Sequence, residues 1–308
     1  MGTAGQPTDA PPPRGLFVGL CTLDVVHLVA RRPDPDEKVS AEDQVVAAGG
    51  PATNAAVAFA HLGGAATLVS AIGGHGLAGI MRDDLTENGV RIVDIAVDQT
   101  RPPRVSAVAV TKGTGARAVI AYDTAPPGIA PTAAVTALAR RAEIVEVDGH
   151  YPEAALAALR AARAEHRLTV YDGGRWRPEI RQLLQWVEVA VCSADFRPPG
   201  CSTPADVLAF LAERGVRYAA LTSGKGAVDW RGPNGAAGRV EVPGVDVVDT
   251  LGAGDVFHGA LSYGLAQAEV LDPDVFESAI GFAVDVASRS CTAFGTRAWM
   301  TDTAEPSK

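Results

Sequence analysis

The chain has 308 residues, 47% of them hydrophobic and 20% charged, with a formal net charge of −9. That length and apolar content can bury a sizeable core, and the acidic balance excludes a nucleic-acid or anionic-membrane surface, which needs a basic face. No run approaches the roughly 20 consecutive apolar residues of a membrane helix. Residues 1–14 are rich in Pro, Gly, Thr and Ala without an apolar run. They read as a flexible tail, not a signal peptide, and the expected location is cytoplasmic. The four cysteines (Cys21, Cys192, Cys201, Cys291) form no Cys-x-x-Cys pair, so reduced thiols are expected rather than zinc or a disulfide framework.

Residues 16–20, Leu-Phe-Val-Gly-Leu, read as a buried first strand. Asp24 is expected at that strand's C-terminal end, where open α/β sheets collect ligands; capping a turn is the alternative. The turn lacks Gly-x-Gly-x-x-Gly, so a nicotinamide site has no support. Residues 25–48 hold two strands around a Pro-Asp-Pro-Asp-Glu turn, and residues 104–122 spell a hairpin around Lys112-Gly-Thr-Gly. Gly49 and Gly50 open a helix whose apolar face runs through Val57, Ala58 and Leu62. Those glycines allow a ligand close to the backbone, and Asn54 can both donate and accept hydrogen bonds. Glycines serving only packing are the alternative. A strand and turn follow over residues 67–76.

From residue 131 helices (131–141, 153–166, 180–186, 204–214) alternate with strands (144–147, 168–171, 187–192, 218–222). Such alternation builds βαβ units, and strands ending in Asp148, Asp172 and Ser193 would line a cleft. Thr222, Gly224 and Gly226 form a small-residue turn that reads either as a nucleotide contact or as a plain hairpin. Lys225 is not a Walker lysine, because the P-loop pattern is missing. Val245, Val247 and Val248 suggest a short strand, and Val256, Phe257, Ala260 and Leu261 mark one face of a helix. Gly252-Ala253-Gly254 between them can aim backbone N–H groups at an anion, where roughly half a positive charge accumulates. Asp255 in the first helical turn can take a proton from an attacking hydroxyl. A bare Gly-x-Gly-Asp is otherwise a tight turn with a helix-start aspartate. An amphipathic helix over about 274–290 and the loop 291–296 complete the chain.

The whole run Asp249-Thr250-Leu251-Gly252-Ala253-Gly254-Asp255, followed by Gly259-Ala260-Leu261, resembles the C-terminal signature of the ribokinase or PfkB family of sugar kinases. Gly49-Gly50 with Asn54 resembles the family's N-terminal signature, and the two stand in the family's order. The resemblance runs from residue 17 to about 301. It implies an α/β protein, a three-layer α/β/α ribokinase-like sandwich with a small β-sheet lid. A single kinase domain would span 15–301, with lid segments about 25–48 and 100–122 and a C-terminal tail at 302–308.

The same resemblance assigns roles. Asp255 would be the base and Gly252, Ala253 and Gly254 the anion hole; Asp24, Gly49, Gly50 and Asn54 would hold the sugar. Lys38 sits where related ketose and sulfosugar kinases face a lysine to the substrate, a solvated surface lysine being the alternative. Thr222, Gly224, Gly226 and Thr250 would lie near ATP, and Phe294 and Gly295 in a loop closing over adenine. Asp249 and Leu251 would ligate a monovalent cation, potassium, beside the Mg2+ that accompanies ATP. The family's Asn-x-x-Glu, which organises magnesium, is Ser193-x-x-Phe196 here and leaves Asp195 as the nearby acid. Ketohexokinases share that Ser-x-Asp pattern.

The expected activity is transfer of the γ-phosphoryl of ATP to a hydroxyl of a small sugar. The Ser-x-Asp motif and residues 249–255 resemble ketohexokinases, and residues 255–261 resemble sulfofructose kinase. His150, however, stands where sulfosugar kinases place an arginine, so a neutral ketohexose comes first. Alternatives are ribose or another pentose, a nucleoside (Tyr122 being the one aromatic candidate in the lid), and a non-catalytic sugar- or nucleotide-sensing homologue favoured by the missing Asn-x-x-Glu. The partner is thus a small sugar, with no nucleic acid and no membrane. A homodimer through the lid is common among such relatives, though nothing in this sequence establishes it.

Overall fold

Period-two alternation in the first strand, β1 (Arg14–Val18), sends Leu16 and Val18 into one buried cluster and Phe17 into another. A strand buried on both faces belongs in the middle of a sheet covered by helices on each side, and that is where β1 lies. The computed structural model describes residues 11–122 and 132–301. Most of the expected N-terminal tail, the C-terminal tail and the expected start of the helix at 131 lie outside the described residues.

After β1 come β2 (Thr22–Val29), β3 (Asp43–Gly49), α1 (Pro51–His61), β4 (Ala65–Ser70), α2 (Ala78–Glu87) and β5 (Arg91–Asp94). Next are β6 (Val105–Thr111), β7 (Ala116–Ala121), α3 (Ala133–Arg141), β8 (Ile144–Val147), α4 (Pro152–Ala164) and β9 (Leu168–Gly173). The rest are α5 (Arg181–Leu184), β10 (Val189–Ser193), α6 (Pro204–Glu213), β11 (Tyr218–Ser223), β12 (Gly226–Arg231), β13 (Ala237–Val240), α7 (Ala253–Ala266) and α8 (Pro273–Ser290).

The large sheet has the order β13-β12-β11-β10-β9-β8-β1-β4-β5. It is parallel from β11 to β5, with β12 and β13 added antiparallel. One face packs on α1, α2, α7 and α8 through Phe59, Met81, Phe257 and Phe276. The other packs on α3 to α6 through Val135, Leu159, Leu184 and Leu211. The expected three-layer sandwich is therefore present. A separate four-stranded sheet, β3-β2-β6-β7, is the lid; β2 and β6 run parallel, and the outer pairs antiparallel.

Two expectations are corrected. Asp24 does not end β1: it sits inside β2, opposite Ala47 and Ser106, because the chain turns at once after Val18. The strand expected at Val245–Val248 does not form. The large sheet ends at β13, and the N–H groups of Val248 and Asp249 bond the Cys291 carbonyl instead of a ladder. α2, β5 and β13 have no counterpart among the elements expected from the sequence.

Helix starts carry local signals. Thr203 and Asp206 form a capping box at α6, and Asp272 caps α8 through the Val275 N–H. What positions the site is the crossing of α1 and α7. A Cβ on Gly259 would lie 2.3 Å from the Ala55 carbonyl oxygen, so glycine is what lets the two helices approach at that point.

Candidate active site

That crossing brings the two motifs together. Gly252 caps α7 with φ 74°, ψ 1°, a left-handed conformation that glycine adopts without cost. The chain thereby turns into α7, whose first N–H groups have no helical carbonyl to bond, next to Leu251 and Asp255 of the cavity lining. Asp255 stands in this first turn, and Asn54 Nδ2 on α1 donates to its Oδ2 at 2.8 Å. A Cβ on Gly252 would lie 3.0 Å from Thr296 Cγ2 and 3.3 Å from Asn54 Nδ2, so the turn is walled by both.

A cavity of about 260 Å³ opens beside the pair. Asp255, Asn54, Gly50, Asp24, Ser106 and Leu251 are among its lining residues, with Arg104, His150 and Tyr122 on its rim and walls. The lid thus contributes directly: Asp24 and Ser106 lie opposite each other on β2 and β6, and Thr22 Oγ1 donates to Asp24 Oδ1 at 2.6 Å. Burial raises the Asp24 carboxyl above its ordinary range, opposed by hydrogen bonds from Thr22 and Ser106. A Cβ on Gly49 would fall 1.9 Å from Asp24 Oδ2, which explains a glycine there: the carboxylate occupies the space of its side chain. Burial also pushes Asp255 up to about 6, opposed by the Asn54 hydrogen bond and reinforced by the charges of Asp24 and Asp148. A carboxylate tuned near that value is ionised at neutral pH yet basic enough to accept a proton.

Behind α7 lies a second polar layer. Glu146 and Asp148 alternate with Val145 and Val147, so both face α7. Ser262 Oγ donates to Glu146 Oε2 at 2.5 Å, and His258 Nε2 lies 3.2 Å from Asp172 Oδ1. Burial pushes Glu146 up to about 8 and raises Asp172, while it pushes His258 down to about 3. Asp148 ties the layer to the site, accepting from the N–H groups of Leu20, Ala52 and His150.

A stability prediction follows from Glu146. Its ordinary value is 4.5 and its folded value about 8, so between those pH values the folded state holds a proton that the unfolded chain releases. Its contribution is complete below 4.5 and is lost as pH rises through about 8. Replacing Glu146 by Gln is expected to flatten the pH dependence of stability in that window, by up to about 1.4 kcal/mol per pH unit. Urea midpoints measured across the window check this; an unchanged slope would count against a buried, protonated Glu146.

A model described as "pfkB family carbohydrate kinase" matches residues 15–304 of this chain. The chain belongs to that family. Ketohexokinase of Mus musculus is 24% identical over 289 residues, covering 90% of this chain and 95% of the mouse protein. Ribokinase of Bacillus subtilis (strain 168) is 26% identical over 298 residues, covering 92% and 94%. Among solved structures, Arabidopsis thaliana ribokinase complexed with ribose and ATP superposes with a TM-score of 0.74 at 20% identity, covering 93% of this chain and 94% of that one. The protein is thus a carbohydrate kinase with a ribokinase-like fold, and such kinases are sugar phosphotransferases that use ATP. Among the described residues no helix is long and apolar enough to cross a membrane.

In this kinase the expected site residues separate into two groups. Asp24, Gly50, Asn54, Leu251 and Asp255 share one cavity, with Gly49 packed behind Asp24. Others lie elsewhere. Lys38 is exposed on the loop between β2 and β3 and does not line the cavity, because the lid turns its Asp24 face inward and this loop outward. Asp195 lies in a shallow groove of about 340 Å³ with Arg175, Trp176 and Arg197; two guanidiniums there disfavour a dication, so the residues present do not fit a magnesium site built on Asp195. Thr222, Gly224 and Gly226 form the tight β11–β12 hairpin, with Gly224 at φ 62°. Thr250 is gripped from the lid, its Oγ1 accepting from Arg117 Nη1 at 2.8 Å. Phe294 packs with Leu251 against Val26 and Val108, joining lid to core.

Asp249 is 2% exposed, and its two oxygens accept from the N–H groups of Leu251 and Gly295 at 2.9 and 3.0 Å. It pins the 291–296 loop to the Gly-Ala-Gly turn. Its remaining lone pairs are oxygen donors of the kind that a hard cation takes. Sequence reasoning missed Arg104, Ser106, Arg117, Asp84 and Arg297. None belongs to a motif, and only tertiary pairing brings them to the site. Alternation of Ile144, Glu146 and Asp148 was the one local signal for the layer behind α7.

Proposed function

We propose that this kinase transfers the γ-phosphoryl of ATP to a hydroxyl of a small neutral sugar, a ketohexose before a pentose, in the cytoplasm. The observation that carries this reading is the convergence of Asp255, Asn54 and Asp24 on one cavity beside the start of α7. At about 260 Å³ the cavity is smaller than the roughly 300–1,000 Å³ of drug-sized sites, which suits a monosaccharide better than a nucleoside. Asp24, Ser106 and Asn54 hold sugar hydroxyls. Asp255 accepts the proton of the attacking hydroxyl as its oxygen bonds the γ-phosphorus and the bond to the ADP oxygen breaks. The N–H groups of Gly252, Ala253, Gly254 and Asp255 stabilise the charge on the moving phosphoryl, usually the largest electrostatic contribution.

Thr222, Gly224, Gly226 and Gly295 flank the nucleotide in this reading, magnesium enters with ATP, and potassium occupies the oxygen-rich place at Asp249 and Leu251. Exposed Val119 and Ile120 on the edge strand β7 support pairing of two lids in a homodimer. Arg104 on the cavity wall favours an acidic sugar as the second reading.

ADP release from Mg-ATP with potassium, across fructose, tagatose, ribose, sulfofructose, fructose phosphates and nucleosides, tests the substrate class. Turnover on a neutral ketohexose is expected. Silence across the panel with sugar or ATP still binding would instead favour a sensor. The pH dependence is a separate check. Asp255 must be ionised to act, so kcat/KM is expected to rise through about pH 6 and then level. A profile without that acid limb would remove Asp255 from the role of base.

A further inference from the structure

Asn54 has two polar ends, and the structure uses both. Its Nδ2 donates to Asp255 Oδ2 at 2.8 Å, and its Oδ1 accepts from Arg297 Nη1 at 3.0 Å. Arg297 is itself clamped. Nη2 donates to Asp84 Oδ2 at 3.0 Å and to the Ala48 carbonyl at 2.6 Å, and Nη1 also reaches Thr296 Oγ1 at 3.0 Å. Asp84, on α2, accepts from the Ala48 N–H at 3.1 Å as well. The Arg297 and Asp84 side chains are only 15% and 17% exposed, so little solvent competes for these bonds.

The chemistry of the three groups makes this chain directional. An amide can be turned over, presenting either its oxygen or its NH2 to a neighbour. A guanidinium has donors only, so Arg297 can face the Asn54 oxygen but not its NH2. The other end of the amide is then necessarily the NH2, which is the end that an ionised Asp255 needs. We propose that Arg297, anchored by Asp84, is a positioning residue for the base: it fixes the Asn54 amide so that its NH2 holds the ionised Asp255 carboxylate toward the cavity.

Without the guanidinium the amide is free to turn its oxygen toward Asp255, which repels the carboxylate and stabilises its protonated form. The inference rests on Asp255 being the base. Asp24 on β2, Glu146 on β8, Asp172 on β9, Asp148 beyond β8 and Arg117 on β7 also act on Asp255 or feel its charge. Of these, Asp24 also feels the Arg297 charge, which Arg297→Lys retains.

The test compares wild type with Arg297→Lys, whose single nitrogen, if held by Asp84 and the Ala48 carbonyl, no longer reaches the Asn54 oxygen that a second guanidinium nitrogen holds, and with the milder Asp84→Asn. Two readouts are used: kcat and KM on the sugar that turns over, against pH, and the titration of the Asp255 carboxyl followed by carbon NMR. In Arg297→Lys, kcat is expected to fall about 10- to 100-fold with KM for ATP nearly unchanged. The acid limb and the Asp255 titration should both move to higher pH, and Asp84→Asn should shift both in the same direction by less. An unmoved Asp255 titration and an unmoved acid limb in both folded variants would overturn the inference and leave the kinase reading intact. A shifted titration in a protein that phosphorylates no sugar would support the positioning role and remove the kinase reading. If Arg297→Lys does not fold, as judged by its melting transition, Asp84→Asn decides alone.

Discussion

Replacing Asp255 by Asn is expected to lower kcat by about two to four powers of ten while ATP and sugar still bind. The substitution keeps the shape of the side chain, its place in the first turn of α7 and an oxygen for Asn54 Nδ2, which now stands 2.8 Å from Asp255 Oδ2. What it removes is the ability to accept a proton. The first N–H groups of α7 and the remainder of the cavity stay in place, and they account for residual catalysis. Steady-state ADP formation together with calorimetric binding of sugar and ATP separates the two effects. Near-wild-type turnover would contradict the assignment, and loss of both binding and turnover would point to a structural role instead.

Gly50→Ala is expected to cost about 2 to 5 kcal/mol of stability, the sum of backbone strain and overpacking. Gly50 has φ 103° and ψ 154°, a region that residues with a Cβ rarely enter. A Cβ there would lie 2.5 Å from the Leu20 carbonyl oxygen. Leu20 cannot easily yield. Its N–H is held by Asp148 at 2.8 Å and its carbonyl by Thr53 Oγ1 at 2.9 Å. The turn at Gly50 starts the helix that carries Asn54 and also lines the cavity, so sugar affinity should fall along with stability. Denaturant unfolding measures the first effect; a variant within about 0.5 kcal/mol of wild type would contradict the constraint read here.

The elements that the sequence disclosed were those with a local cause. Strands such as β10 and β11 begin as short apolar runs, and the Gly-Ala-Gly turn needs a glycine at Gly252, with φ 74°. The valines at 245, 247 and 248 misled because β-branching favours a strand only when a partner edge exists, and here the ladder ends at β13. Asp24 reads from the sequence as the end of β1, and only the pairing of β2 with β6 shows that it belongs to the lid. Phe294 was read beside adenine, yet its ring lies in the apolar seam between lid and core with Leu251, Val26 and Val108. Arg297 could not be read from local pattern at all. It follows the Gly295-Thr296 loop without a motif of its own, and Asp84 and Asn54, its partners, lie 213 and 243 positions away. Such contacts are set by the packing of α1, α2 and the loop after α8, which no local pattern encodes.

In the proposed reaction Asp255 and the Gly-Ala-Gly turn move a phosphoryl group from ATP onto a sugar held by Asp24 and Asn54. The most direct measurement follows radiolabel from γ-labelled ATP in the presence of the sugar found by the substrate panel. Label is expected in a sugar phosphate ester, one for each ADP formed, and is expected to be lost in the Asp255→Asn protein. Label appearing only as inorganic phosphate, or equal transfer by the variant, would contradict it.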